Sequence, residues 1–567
     1  MSNIGSYKEK INSFDWSDSE NELGYKHGDI INIGWYCSDR ICQMGKSDKT
    51  ALIYEGFDGV EKRFTFNDIR LASNTIGEFL MGLGIRNEDR VCLFMDRIPE
   101  LYLSFLGVLK IGAIVQPLFS AFGDESLFVR LDNAQTRVII TQRKHLPKVR
   151  KIVDRLHSLD FIIIVDHNKS KPLGKKELPF RLDMSLPVEK INIFPTKAES
   201  PSVLHYTSGT TGQPKGVKHV HYSLISQYLT AKWVLDLQED DVYWCTADPG
   251  WVTGTSYGII GPWSLGISQC ILDSGFSAQA WYNFICKHNI TVWYTAPTAI
   301  RSLMKAGDEI IKNYNLTSLR YLASVGEPLN SEAVIWSQKI FGKPFLDTFW
   351  QTETGSIMIA NFPGMKVKPG SMGKPFPGIE GIVVDPVTFT PITEPGKAGL
   401  IAFKPGWPAM MRAYWNNDAK YREKFINGWY ISGDRASIDS DGYFWFIGRD
   451  DDVINTGGHL VSPFEVESAL LQHPAVAESA VVAKPDAINM EVVKAFITLK
   501  SGFIAGPDLE LEIMNFIRKK LSSLAMPQEI EYMDKLPKTR SGKIMRRLLR
   551  AKEWGEEIGD ISTLEND

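Results

Sequence analysis

Short, nearly unbroken apolar runs recur along this chain between longer helical patterns, and they constrain its fold more than any other feature. "RVCLFM", "GAIVQPL", "TRVIIT", "FIIIVD", "SVLHY", "TVWYTA" and "LRYLASV" all have strand length. A strand wetted on one face alternates apolar and polar residues; these do not, so both of their faces must be covered. Parallel sheets with helices packed outside satisfy that demand, which predicts an α/β architecture. From about Gly399 the texture changes to aromatic, alternating strands joined by tight turns, as in "GWYISGDRASIDSDGYFWFIGR". "DSDG" there is a hairpin turn rather than a calcium loop. After "GRDDDVINTGGHLVSP" come a helical pattern, two strand patterns and an amphipathic helix, enough for a small α+β domain. The expected organisation is a large N-terminal domain, residues 1–450, of parallel-rich sheets with flanking helices and a small β-barrel-like part. A small, mobile α+β domain, residues 451–567, completes the chain, with a hinge at its Asp-rich start.

At 567 residues the chain exceeds what one core organises. Lys plus Arg total 63 against 67 Asp plus Glu, a formal charge of −4, which gives no pressure towards nucleic acid or anionic lipid. The N-terminus is polar and acidic, unlike a secretory signal. The most apolar stretch, residues 101–119, carries Lys110 and Pro117 and reads as a core helix followed by a buried strand, not a membrane span. The six cysteines show neither C-x-x-C pairs nor zinc spacing, which suits reduced thiols in a cytoplasmic protein.

"HYTSGTTGQPKGVKHVH", residues 205–221, crowds hydroxyl donors, glycines and lysines behind a short strand. Thr207, Ser208, Thr210 and Thr211 supply donors, Gly209 and Gly212 let the backbone approach a ligand closely, and Lys215 adds a mobile positive charge. Such a loop gathers N–H groups around an anion. The Walker spacing G-x-x-x-x-G-K-[ST] is absent, so composition alone leaves a phosphate loop and an ordinary surface loop both open.

Taken with "DTFWQTETG" (residues 347–355), "YISGD", "GYFWFIGRDDDVINTGGH" and "PKTRSGKIMRR", in that order, this loop makes the chain resemble the adenylate-forming acyl-CoA synthetases. It looks most like their acetyl-CoA synthetase branch, from Trp35 to the end. The resemblance implies that a carboxylate attacks the α-phosphate of ATP to give acyl-AMP and pyrophosphate, after which coenzyme A displaces AMP. ATP, Mg2+ and coenzyme A are the implied cofactor and co-substrates. The loop from Thr207 to Lys215 would hold the β- and γ-phosphates. Thr352 resembles the α-phosphate contact and Glu353 the magnesium ligand, while Asp434 resembles the acceptor of both ribose hydroxyls. Arg449 resembles a ribose- or phosphate-contacting arginine. Gly326, Glu327 and Pro328 resemble the adenine-lining stretch, and Asp347, Thr348 and Gln351 belong to the same nucleotide site. Lys543 resembles the adenylation lysine, and Asp451 the hinge about which the small domain rotates between the two steps. In the rotated state Gly457, Gly458 and His459 would line the coenzyme A tunnel. Leu460 departs from the branch, where an arginine usually reaches the adenylate phosphate, so one charge-assisted contact is missing.

Trp350 stands where this branch closes its acyl pocket, with Val252, Thr253 and Val325 resembling the remaining wall. Acetate is therefore the expected acid, ahead of propionate. A propionyl- or medium-chain acyl-CoA synthetase is the second reading, and a nucleotide-binding sensor without turnover a third. The branch also implies a lysine acetyltransferase and a deacylase acting on Lys543, which would remove its charge.

Overall fold

A computed structural model describes every residue except 1, 168–171, 181, 183–186, 209–213, 457–458, 488, 540–542, 559–563 and 565–567. An eight-stranded sheet runs in the order Ala413–Tyr414, Pro214–Val220, Pro201–Ser208, Ile114–Pro117, Arg90–Phe94, Val138–Thr141, Phe161–Ile164, Glu177–Pro179. From Pro201–Ser208 onward every pairing in that order is parallel. A nine-stranded sheet runs Lys374–Pro375, Ile359–Ala360, Leu346–Phe349, Tyr321–Val325, Val292–Thr295, Val242–Cys245, Ser268–Leu272, Thr50–Glu55, Glu61–Thr65. It is parallel from Leu346–Phe349 to Thr50–Glu55. Each apolar run named above falls on one of these two sheets with its interior positions buried, as strands covered on both faces require.

The helices Phe66–Gly82 and Pro99–Lys110 show how the layers close. The first starts at a capping box in which Thr65 accepts from the Asp68 N–H while the Asp68 carboxylate accepts from the Thr65 N–H. Its buried Ile69, Ala72, Ile76 and Leu80 recur at three- and four-residue steps, one face of a helix. The two helices cross closely at Gly107, where a Cβ would come within 2.8 Å of the Ser73 carbonyl oxygen. Nearly every residue of the second helix is buried. Its last residue, Lys110, is fully buried with Nζ 2.7 Å from Asp39 Oδ2 and 2.7 Å from Asn74 Oδ1.

Asp39 belongs to an N-terminal segment stitched across the large domain. Tyr7 Oη donates to the Pro375 carbonyl (2.8 Å), Ser19 Oγ to that of Ile225 (2.7 Å), and the Ile33 N–H to His221 Nδ1 (3.1 Å). A third, five-stranded antiparallel sheet is built from Gly381–Val384, Gly399–Phe403, Phe425–Ile426, Trp429–Ile438 and Phe444–Arg449. From Gly399 on these are the alternating strands expected, arranged as an open sheet, and "DSDG" forms the turn between the last two.

Beyond it lies a five-stranded sheet of Ile454–Thr456, His459–Val461, Val476–Asp486, Met490–Leu499 and Glu529–Tyr532. It packs against the helices Pro463–Leu470 and Pro507–Lys520 around Val466, Leu470, Val481, Ile497, Ile513 and Ile517. That core draws its buried residues from 454–530 alone. The six cysteines are unpaired, and among the described residues no helix is long and apolar enough to cross a membrane.

Burial lowers the Lys110 pKa to about 8, against the opposing pull of Asp39. The unfolded chain therefore binds more protons between about pH 8 and the ordinary lysine value, so this group makes stability rise with pH across that window. Asp39→Ala strands the buried charge. The expected loss is about 3–5 kcal/mol at pH 7, shrinking above pH 8 where Lys110 is neutral in the fold. Denaturant unfolding at pH 7 and pH 9.5 checks both the size and the trend.

Candidate active site

The strands Pro201–Ser208 and Pro214–Val220 pair antiparallel with Thr207 opposite Lys215 and Ser208 opposite Pro214. The loop they carry is thus the tip of a hairpin on the edge of the parallel array. Gly209, Thr210, Thr211 and Gly212 lie outside the described residues. Lys215 Nζ lies 5.6 Å from the centroid of the Tyr414 ring, and Tyr414 Oη donates to Glu353 Oε1 at 2.8 Å. Lys215 and Glu353, 138 positions apart, are therefore brought together across one tyrosine.

Asp347 and Thr348 sit on Leu346–Phe349, the last parallel strand of the larger sheet. Burial raises the Asp347 pKa well above the carboxylate range. Thr348 Oγ1 donates to the Ser324 carbonyl at 2.7 Å and pairs with Tyr294 Oη at 2.8 Å. The chain then turns at residues 350–355. Gln351 bridges outward: its Nε2 donates to the Asp434 carboxylate and to the Ser432 carbonyl (3.1 Å), and its Oε1 accepts from Tyr430 Oη (2.8 Å).

Asp434 and Arg449 lie opposite each other on adjacent antiparallel strands, with Oδ1 and Nε 3.5 Å apart. Burial raises the Asp434 pKa, and Arg449 and Lys543 oppose that rise. Gly326, at φ +93°, lets the chain leave strand Tyr321–Val325. The side chain of Glu327 turns to Arg301, whose Nη2 donates to Oε2 at 2.7 Å, and accepts from Thr298 Oγ1 at 2.5 Å. Burial opposes ionisation there, but Arg301, Thr298 and Lys543 outweigh it and hold the carboxyl below its usual range.

Trp350 is half-buried. Its indole N–H points to Tyr294 Oη at 3.4 Å, and its ring meets that of Tyr257 edge-on at 5.1 Å. Val252 and Thr253 open the short helix Val252–Thr255, while Val325 ends its strand. The adjoining Gly254 is obligatory, because a Cβ there would come within 2.2 Å of the Asp248 carbonyl oxygen.

Lys543 keeps solvent contact yet reaches the same cleft. Enclosure by the surrounding protein lowers its pKa; Glu327 opposes that fall, and Arg449 and Arg546 reinforce it. Its segment is anchored three residues on, where Arg546 Nε donates to Glu467 Oε1 at 2.7 Å. Asn330 Nδ2 donates to Ser468 Oγ at 2.6 Å, a direct tie between the two parts of the chain. Arg550 Nη1 donates to the carbonyl of Asp451 at 2.6 Å. His459 is exposed, Gly457 and Gly458 lie outside the described residues, and Leu460 pairs through its backbone with Asn455. Tyr414, Tyr430, Tyr294, Tyr257 and Arg301 were not singled out in the sequence. Tyr430 opens the quoted "YISGD" without being named there; the others stand outside the motifs, and all reach the cleft through the sheet topology.

Comparison with known proteins gives this cleft its class. The AMP-binding enzyme family matches residues 40–415, and the AMP-binding enzyme C-terminal domain matches residues 465–543. The chain belongs to the AMP-binding enzymes, and within them to the acetyl-coenzyme A synthetase branch. It is 46% identical over 566 residues to the acetyl-coenzyme A synthetase of Bacillus subtilis, covering 100% of this chain and 98% of that protein. It is 36% identical to the acetyl-coenzyme A synthetase of Pyrobaculum aerophilum over 97% of this chain and 87% of that one. Among solved structures it resembles an anthranilate CoA ligase in complex with anthranoyl-AMP, with a TM-score of 0.84 and 30% identity over 95% and 99% of the two chains. An acyl-CoA synthetase of Brucella canis gives a TM-score of 0.75 and 33% identity over 97% and 99%. The protein is thus a ligase with the fold expected from its sequence.

Gln351→Leu leaves the Asp434 carboxylate and the Tyr430 hydroxyl without their shared partner. At about 1–3 kcal/mol for such a loss, the ATP KM is expected to rise about tenfold, with kcat little changed, in acetate-dependent pyrophosphate exchange.

Proposed function

We propose that this ligase makes acetyl-CoA, AMP and pyrophosphate from acetate, ATP and coenzyme A through acetyl-AMP. The observation that carries this reading is Trp350 set edge-on against Tyr257 beside the turn bearing Thr352 and Glu353, with the Lys543 charge felt at Glu327 and Asp434. In the first step an acetate oxygen attacks the α-phosphorus of ATP and the bond to pyrophosphate breaks. Negative charge builds on phosphate oxygens, and fixed cations and N–H donors stabilise it. Lys543 serves that charge at the α-phosphate, Lys215 and the 207–212 loop hold the β- and γ-phosphates, and Thr352 donates to the α-phosphate. Asp434 accepts from the ribose hydroxyls with Gln351 and Arg449 fixing its orientation, and residues 326–328 line the adenine beside Asp347 and Thr348.

The donor set at Glu353 suits magnesium. Tyr414 occupies one carboxylate oxygen, and a single carboxylate with nucleotide phosphates is the way this ion is commonly held. Glu353 would hold it, and when bound it would neutralise phosphate charge. Among the described residues the one cluster of metal-type ligands, Glu55, Glu61 and His288, is already engaged: both carboxylates pair with Lys287, and His288 Nε2 lies 3.1 Å from Glu55 Oε2.

The second step joins the coenzyme A sulfur to the acetyl carbon and expels AMP. Lys543 then has no pyrophosphate to release, and rotation of residues 451–567 about Asp451 brings Gly457, Gly458 and His459 to the cleft. The present arrangement, with Lys543 near Glu327 and Asp434, suits the first step. The exposure of Lys543 also suits a lysine acetyltransferase and a deacylase that would switch adenylation off and on.

Trp350, set against Tyr257 and Tyr294, would close the acyl pocket to a long chain. AMP release measured across acetate, propionate, butyrate and octanoate, each with and without coenzyme A, is expected to need both acid and thiol and to fade with chain length. Trp350→Gly is expected to move the preference to the longer acids and to cost acetate about tenfold in kcat/KM. Octanoate preference in the parent chain would discard the pocket, and no turnover with any acid would favour the sensor reading. Lys543→Gln is expected to cut pyrophosphate exchange about 10²–10³-fold while supplied acetyl-AMP still acylates coenzyme A.

A further inference from the structure

The turn at residues 351–355 must hold Thr352 and Glu353 steady, yet it belongs to no helix or strand. Its carbonyls are taken one by one. The Thr352 carbonyl faces His219 Nε2 at 2.9 Å, and the Glu353 carbonyl accepts from the Met411 N–H at 2.9 Å. The Thr354 carbonyl accepts from the Trp407 indole N–H at 2.7 Å. That of Gly355 accepts from Gln227 Nε2 at 3.1 Å and Ser256 Oγ at 3.3 Å.

His219 differs from the other donors in where it comes from. It stands on Pro214–Val220, the strand that leaves the phosphate-loop hairpin and carries Lys215 at its start. It is 3% exposed, and burial lowers its pKa to about 4, so the ring is neutral in any ordinary buffer. A carbonyl only accepts, which fixes the proton on Nε2. The contact is tight: Gly355, at φ +70°, would place a Cβ 2.9 Å from His219 Cε1 and 2.3 Å from the Ala409 carbonyl oxygen. Behind the ring lies a cavity of about 10 Å³ lined also by His205, Gln227, Val252 and Ser256. His205 Nε2 lies 2.7 Å from Thr255 Oγ1, on the helix that begins with Val252 and Thr253. The phosphate-loop strand, the turn and the acyl wall therefore meet at this histidine.

We propose that His219 is a positioning residue for adenylation: its Nε2–H on the Thr352 carbonyl sets Thr352 and Glu353 in register with Lys215. The assignment rests on the acetate–ligase reading above. A residue that merely fills the core would loosen both half-reactions together. A residue that sets the register of phosphate-binding groups bears hardest on the step in which charge builds on the triphosphate.

The test compares the parent chain with His219→Leu and His219→Gln, the glutamine amide reaching as far as the imidazole Nε2. Acetate-dependent pyrophosphate exchange and the acylation of coenzyme A from supplied acetyl-AMP are measured separately, with thermal unfolding alongside. His219→Leu is expected to lower the exchange kcat about thirtyfold, with the ATP KM within about threefold and acylation within about threefold. His219→Gln is expected to recover at least about tenfold of that loss. Parent-like exchange in His219→Leu, no recovery in His219→Gln, or an equal fall of both half-reactions each overturns the proposal. Should His219→Leu not fold, His219→Asn replaces it; its shorter amide misses the carbonyl, so exchange equal to that of His219→Gln overturns the proposal. Absence of exchange in the parent chain overturns the ligase reading itself, and this proposal with it.

Discussion

The cleft depends on a turn held largely by groups outside it. Residues 351–355 follow the last parallel strand of the larger sheet and lack the repeating hydrogen bonds of a helix or a ladder. Buried carbonyls without donors would cost about 1–3 kcal/mol each. Trp407, Gln227, Ser256, the Met411 N–H and His219 meet that demand from four separate stretches of chain. The side chains that face the ligand site, Gln351 and Glu353, are in turn oriented by Tyr430 and Tyr414. A flexible connection thereby becomes as fixed as the sheets on either side of it.

Charge in the cleft follows the same logic. Buried carboxylates are costly unless paired, and three acids here have a cation within reach: Glu327 has Arg301, Asp434 has Arg449, and Glu467 has Arg546, whereas Asp347 has none and its carboxyl is pushed well up by burial. The pairs leave Lys543 as a cation with solvent contact, drawn towards the cleft by Glu327 and held off by Arg449 and Arg546. A phosphate entering such a field meets positive charge already in place, and little reorganisation accompanies the reaction.

The parallel sheets were legible because strands covered on both faces lose their polar residues, a signal carried within each strand. The turn "DSDG" and the small C-terminal domain were legible from local turn and helix patterns, whereas the phosphate loop was read only as following a strand, and the return strand Pro214–Val220 that makes it a hairpin was not foreseen. Lys110 shows where that reading stops. In the sequence it counted against a membrane span; in the fold it is a fully buried charge, and its partner Asp39 lies 71 positions earlier. The motifs named Glu353, Gln351 and Asp434, but Tyr414 stands outside them, and Tyr430, the first residue of "YISGD", passes for an ordinary strand aromatic. Their value comes from which strands the topology brings together, and no local pattern encodes that. His219 lay inside the stretch quoted for its hydroxyls and lysines, yet nothing in its neighbours announces that the ring faces a turn 133 residues away.

The segment ahead of residue 40 lies outside the AMP-binding family match, and a designer guided by that boundary alone would trim it first. The fold argues otherwise. Tyr7, Ser19 and Ile33 are sewn to three distant stretches, and Asp39, the counter-charge of Lys110, is its last residue. Cutting there would remove a wall rather than a tail, and would leave a cation in apolar surroundings. Affinity tags and fusion partners therefore belong ahead of Asn3, with the stretch from Asn3 to Asp39 kept whole.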